Sequence, residues 1–147
     1  MKTDAQLELC LKEIDIVQGN IQRYDQNGLT IKSWCLTTWS LVTAFALQNQ
    51  NATLVLLSAF MVLAFSFTEF IYRRFQCRFI QRSSEIEALL DGGNLKNYKY
   101  SVYRASTNRN TVDEIKYVLS QPQFSVFYVS LMLLSVVLVI LVYANVI

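Results

Sequence analysis

The chain has 147 residues, no histidine, a formal charge of +2, 53% hydrophobic residues and only 16% charged ones. This composition, with a mean hydropathy of +0.29, reads as a membrane protein and not as a soluble domain. The missing histidine removes the commonest general base and metal ligand, and so small a positive charge argues against a nucleic-acid partner.

Residues 1–33 read as a cytoplasmic helix. Leu7, Ile14, Ile21, Gly28 and Cys35 recur at every seventh position, and Cys10, Val17, Tyr24, Ile31 and Thr38 form the companion series. That is a heptad seam, the pattern of a helix packed along a neighbour. It continues without a proline into the first apolar run, which implies one helix of about 40 residues. Asn27-Gly28 is the alternative, a break into two helices.

The run "WCLTTWSLVTAFAL" is short for a bilayer of about 30 Å, which takes roughly 20 helical residues. The uncharged "QNQNAT" fills out the crossing and supplies the turn, so 34–53 reads as a first crossing with an outer turn. Asn51-Ala52-Thr53 matches a glycosylation sequon, which we attribute to chance in so tight a turn. The second crossing, 54–72, meets its only charge, Glu69, near its end. A cytoplasmic extension follows over 73–91, with Phe75, Phe79, Arg82, Ile86 and Leu89/Leu90 at helical spacing and Gly92 as its C-terminal stop.

The linker 92–123 holds "LKNYKYSVYRASTNRN", whose tyrosines and basic residues suit either a short strand or an interfacial loop. It ends in a short helix opened by a capping box, Thr111 with Glu114, and Pro122 stands at the start of the next helix. Residues 124–147 carry no charge and form the third crossing. A buried core helix is the competing reading of such runs.

The expected fold is therefore an all-α membrane protein in one domain, a long antiparallel helical hairpin with cytoplasmic extensions plus a third transmembrane helix at the C-terminus. All 13 Lys and Arg residues lie within 1–33 or 73–123, so both regions are placed in the cytoplasm, the N-terminus inside and the C-terminus outside. A cleaved signal peptide is not expected, because about thirty mostly polar residues precede the first run.

Candidate chemistry is sparse, and nothing points to a catalytic group, a cofactor or a metal ion. Cys10, Cys35 and Cys77 lack the spacing of a redox or metal pair and read as free, packed thiols. Glu69 is costly in a membrane helix unless paired. Arg73, Arg23 and Lys32 are its candidate partners, in a structural ion pair or a gate. Arg73, Arg74, Arg78 and Arg82 suit anionic lipid headgroups. Ser33, Thr37, Ser40 and Thr43 make a small, hydroxylated stripe that serves helix packing or lines a pore.

The stretch "VQGNIQRYDQNGLTIKSW" resembles the N-terminal signature of a largely uncharacterised family of small bacterial inner-membrane proteins. Its pattern is matched by Val17, Gln18, Ile21, Arg23, Asn27, Gly28, Ile31, Lys32 and Trp34, and the likeness extends to Glu69, Tyr72, Arg74 and the aromatic "FSVFY". That family more often has Asp at the place of Glu69 and Gly at the place of Ser33. It is similar to the SLATT-type membrane effectors of antiviral defence. The resemblance implies an oligomeric effector that permeabilises the bacterial inner membrane on a cytoplasmic trigger, either a protein or a small molecule. A non-conducting subunit that anchors a cytoplasmic partner is the alternative.

Overall fold

The computed structural model describes residues 2–92, 98, 100 and 111–144, and these form four helices and no strand. The linker read as a strand or loop lies outside the described residues apart from Tyr98 and Tyr100, as do the side chain of Thr111 and the last three residues. The helices are α1 (Lys2–Gln48), α2 (Ala52–Asp91), α3 (Thr111–Ser120) and α4 (Pro122–Tyr143).

α1 is continuous over 47 residues, roughly 70 Å, so Asn27-Gly28 does not break it. Its buried positions include Cys10, Glu13, Val17, Gly28, Cys35, Trp39, Thr43 and Ala46. These steps of three, four, seven and eleven keep one face turned toward α2. α1 and α2 lie antiparallel, as Glu13 with Arg82, Lys32 with Glu69 and Thr43 with Ser58 show along their length.

The turn between them is built by asparagines. Asn51 caps α2, its side chain accepting from the amides of Thr53 at 3.0 Å and Leu54 at 3.4 Å. The Asn51 amide in turn donates to the Ala46 carbonyl at 3.0 Å, and Gln50 in this turn is left-handed, with φ 50°. At its other end α2 stops at Gly92 with φ −74°, so this glycine terminates the helix without a left-handed conformation.

α2 is the shared strut, touching α1, α3 and α4. Three apolar clusters follow its length. Ala46, Val55 and Val142 pack near the turn, Cys35, Trp39, Val62, Val118, Phe124, Tyr128 and Leu131 in the middle, and Cys10, Ile86 and Tyr98 in the extension. Among the described residues Gln81 Oε1 is the one buried side-chain oxygen without a hydrogen-bond partner, and the polar groups between the membrane-length helices are paired. The Trp39 indole donates to Ser135 at 2.9 Å, and the Thr43 hydroxyl donates to Ser58 at 3.2 Å. Pro122 opens α4, where its missing N–H costs no hydrogen bond.

Two of the helices, α2 and α4, are long and apolar enough to cross a membrane. Only 22% of the most apolar stretch of each is buried within the protein, whereas the core helix of a soluble protein would be mostly covered. α1 is not among them, because Thr37, Thr38, Ser40 and Thr43 dilute its apolar run and Gln48 closes it.

Replacing Asn51 by Ala removes the cap and is expected to destabilise the protein by about 1 kcal/mol, with Asn51→Ser retaining most of the stability. Thermal unfolding of the detergent-solubilised protein measures this, and an unchanged midpoint for the alanine variant would show that the turn holds without its cap.

A candidate functional site at Glu69

Glu69 lies where the apolar run of α2 gives way to its arginines, and its side chain is fully buried. An isolated carboxylate so placed would cost several kcal/mol, and three helices supply its partners. Lys32 of α1 donates to Oε1 at 2.8 Å, Arg73 one turn along α2 reaches the same oxygen at 3.3 Å, and the Tyr128 hydroxyl of α4 donates to Oε2 at 2.9 Å. Arg73 is buried in turn and extends the network, donating from Nη1 to Gln76 at 3.1 Å and to Asp25 at 3.3 Å.

Gly28 lets α1 come this close. A Cβ there would stand 3.5 Å from Glu69 Oε1 and 3.6 Å from Arg73 Nη2, ordinary contact for a methyl group but no room for a longer chain. The Lys32 ammonium also lies 5.9 Å from the Phe127 ring centroid, a cation–π approach.

Of the four residues proposed for this pair, Glu69, Arg73 and Lys32 come together, while Arg23 is exposed and makes none of these bonds. The hydroxyl stripe divides. Thr43 is buried against Ser58, but Ser33, Thr37 and Ser40 are exposed. The first two return their hydroxyls to the carbonyls of Leu29 and Ser33, one turn back. Gln76 and Tyr128 also belong to the site, as does Asp25, a charge in helical register with Lys32 whose link to Arg73 the sequence does not show. Tyr128 carries a usable signal, a phenolic tip one helical turn after Phe124 on an otherwise uncharged segment.

The arginines expected at lipid headgroups face carboxylates of the protein itself. Arg74 donates twice to Glu114 of α3, at 2.9 and 3.1 Å, and Arg78 donates once, at 3.3 Å. Burial pushes the Glu114 carboxyl up, but the bonds from Arg74 and Arg78 outweigh it and hold the group below the usual range. Arg82 donates to the buried Glu13 at 2.8 Å and to Glu85 at 3.2 Å. The Tyr98 hydroxyl also donates to Glu13. Burial and that bond push the Tyr98 phenol up, and burial with the nearby Glu13 does the same to the Cys10 thiol. All three cysteines are buried and form no disulfide, and among the described residues no His, Cys, Asp and Glu group is arranged to hold a metal ion.

No protein-family model matches this sequence, and neither the curated proteins nor the solved structures contain a match.

Two outcomes follow from this geometry. Gly28→Ala is expected to raise stability by about 0.5–1 kcal/mol, since a helix-interior glycine gains from a methyl group, and Gly28→Leu to lower it by forcing α1 away from Glu69. Equal melting temperatures for the two variants would rule out the close approach. Glu114, with its folded pKa depressed, contributes stability that is complete above the ordinary carboxylate range and lost as pH falls through its folded value. Glu114→Gln should therefore cost about 1–3 kcal/mol at neutral pH and far less in acid. A penalty independent of pH would separate Glu114 from the acid sensitivity.

Proposed function

We propose that this chain is an oligomeric protein of the bacterial inner membrane that permeabilises or depolarises the membrane on a cytoplasmic trigger, in the manner of an antiviral effector. The observation that carries the reading is the Glu69 network, one buried charge held by three helices at the end of an apolar run. Buried charge networks have few compromises between made and broken, because one lost partner leaves an uncompensated charge. Such a network suits a lock between a closed and an open arrangement.

In this reading α1, α2 and α4 cross the bilayer, with the N-terminus inside and the C-terminus outside. α1 crosses in the company of α2 and α4, which satisfy the polar tips of Thr43 and Trp39. The apolar exterior supports the placement. Leu41, Phe60, Phe67, Val126, Leu133 and Ile140 are each more than half exposed, which favours lipid or neighbouring chains over water. Around a closed ring, exposed Ser33, Thr37 and Ser40 would face either a neighbour or a pore.

A second reading, a non-conducting subunit that anchors a cytoplasmic partner, is favoured by Leu9, Leu11, Ile16 and Leu29, exposed along the extension of α1. An enzyme is not proposed, because the buried acids are occupied by basic or phenolic partners.

Membrane potential in bacteria, recorded with a voltage-sensitive dye after induction, distinguishes the two. Glu69→Gln keeps the shape but removes the charge that Lys32 and Arg73 neutralise, so it is expected to depolarise cells sooner than the parent chain. If both chains insert and the potential holds, or if the protein is a strict monomer in mild detergent, the leak reading falls and the anchor stands.

A further inference from the structure

Outside the Glu69 bonds an open cleft is lined by Asp25, Leu29 and Lys32 of α1, Arg73 of α2 and Gln123 of α4, with a volume of about 550 Å³. That lies within the range of roughly 300–1,000 Å³ usual for small-ligand sites. Its charged groups retain bonding capacity. The Lys32 ammonium, which has three donors, gives one to Glu69. Arg73 engages its partners through Nε and Nη1, leaving Nη2 out of those bonds. Asp25 is half-exposed and holds Arg73 through Oδ1 alone, at 3.3 Å.

The sign pattern selects the ligand. Asp25 and Glu69 balance Lys32 and Arg73, so an anion meets no net attraction, whereas a molecule with separated opposite charges finds a partner at each end. The order along α1 also matters. Asp25 lies farthest from the apolar run, Lys32 borders it, and the exposed Trp34 begins it. A lipid seated in that order points its amine toward the cytoplasm, its phosphate at the boundary and its chains along the membrane face.

We propose that this cleft binds the zwitterionic phosphoethanolamine headgroup of a membrane lipid. The phosphate sits on Lys32 and Arg73, and the primary ammonium donates to Asp25 and the Gln123 carbonyl. The long, half-exposed contact between Asp25 and Arg73 is the one that yields, because exposed ion pairs are weak. The bound phosphate then competes with Glu69 for Lys32 and Arg73, which makes the lipid a direct influence on the network. The assignment rests on the membrane placement of the helices and not on leak formation, so a chain that never depolarises cells can still bind the lipid.

The test is native mass spectrometry of the full chain in mild detergent with chain-matched phosphatidylethanolamine, phosphatidylglycerol or phosphatidylcholine, and with free O-phosphoethanolamine. Phosphatidylethanolamine should be retained about tenfold over the other two lipids, the difference of roughly one charge-assisted hydrogen bond. Asp25→Asn should abolish that preference, and Glu85→Gln, at an exposed residue outside the cleft, should preserve it. Equal or better retention of phosphatidylglycerol, or an unchanged preference in Asp25→Asn, overturns the proposal. Capture of free O-phosphoethanolamine with no lipid retained overturns the membrane source.

Discussion

A fully buried carboxylate, Glu69, is the constraint on which the arrangement of the other helices depends. It cannot be left alone away from water, so Lys32, Arg73 and Tyr128 must all arrive at one point. Each comes from a different place in the chain. Lys32 fixes the register of α1, Tyr128 fixes how far α4 rises along α2, and the small residue at position 28 suits the approach of α1 that brings Lys32 within reach.

The signs of the charges reinforce that register. Among the described residues, α2 in the extension supplies cations to its inter-helix pairs, through Arg73, Arg74, Arg78 and Arg82, and its neighbours supply acids, through Asp25, Glu13 and Glu114. At Glu69 the roles reverse, with α2 giving the acid and α1 the base. A slip of one turn between α1 and α2 would separate Lys32 from Glu69 and Arg82 from Glu13 together. Apolar packing alone discriminates poorly among such slips, because one leucine substitutes for another, whereas a buried charge set against the wrong partner does not.

Much of this was legible in the sequence, and for identifiable reasons. Helical periodicity from Cys10 to Cys35 is a local property, so the long first helix is legible, but its buried face is legible only in part: Cys10, Val17, Gly28 and Cys35 are buried, whereas Leu7 is exposed and the buried Glu13 and Trp39 lie outside the heptad series. Glu69 stood out because a lone acid in an apolar run violates composition, and Arg73 and Lys32 followed from spacing and helix pairing. The partners whose roles the sequence does not show, Tyr128, Glu114 and Asp25, lie far from their contacts in sequence or look ordinary where they stand. Glu114 was read as a cap for its own helix, and it binds Arg74 and Arg78 of α2. The arginines were read against lipid because the distribution of basic residues explains them without any internal acid, and only the fold brings Glu13 and Glu114 to them.

The continuity of α1 and α2 gives the buried charges a mechanical consequence. Neither helix is interrupted between the extension and the apolar segment, so a rotation imposed at the Glu13, Arg82 and Tyr98 cluster travels as a rotation of the same rods at Glu69. α3 adds a second mechanical link. Glu114 ties it to Arg74 and Arg78, and a single residue, Gln121, separates α3 from α4, which carries Tyr128. Any movement of α3 would therefore be felt at the Glu69 carboxylate from the α4 side, and any movement of the extension from the α1 side. Because both routes end on the two oxygens of one carboxyl group, Lys32 and Arg73 on Oε1 and Tyr128 on Oε2, loosening either set weakens the case for keeping the charge buried and so weakens the other.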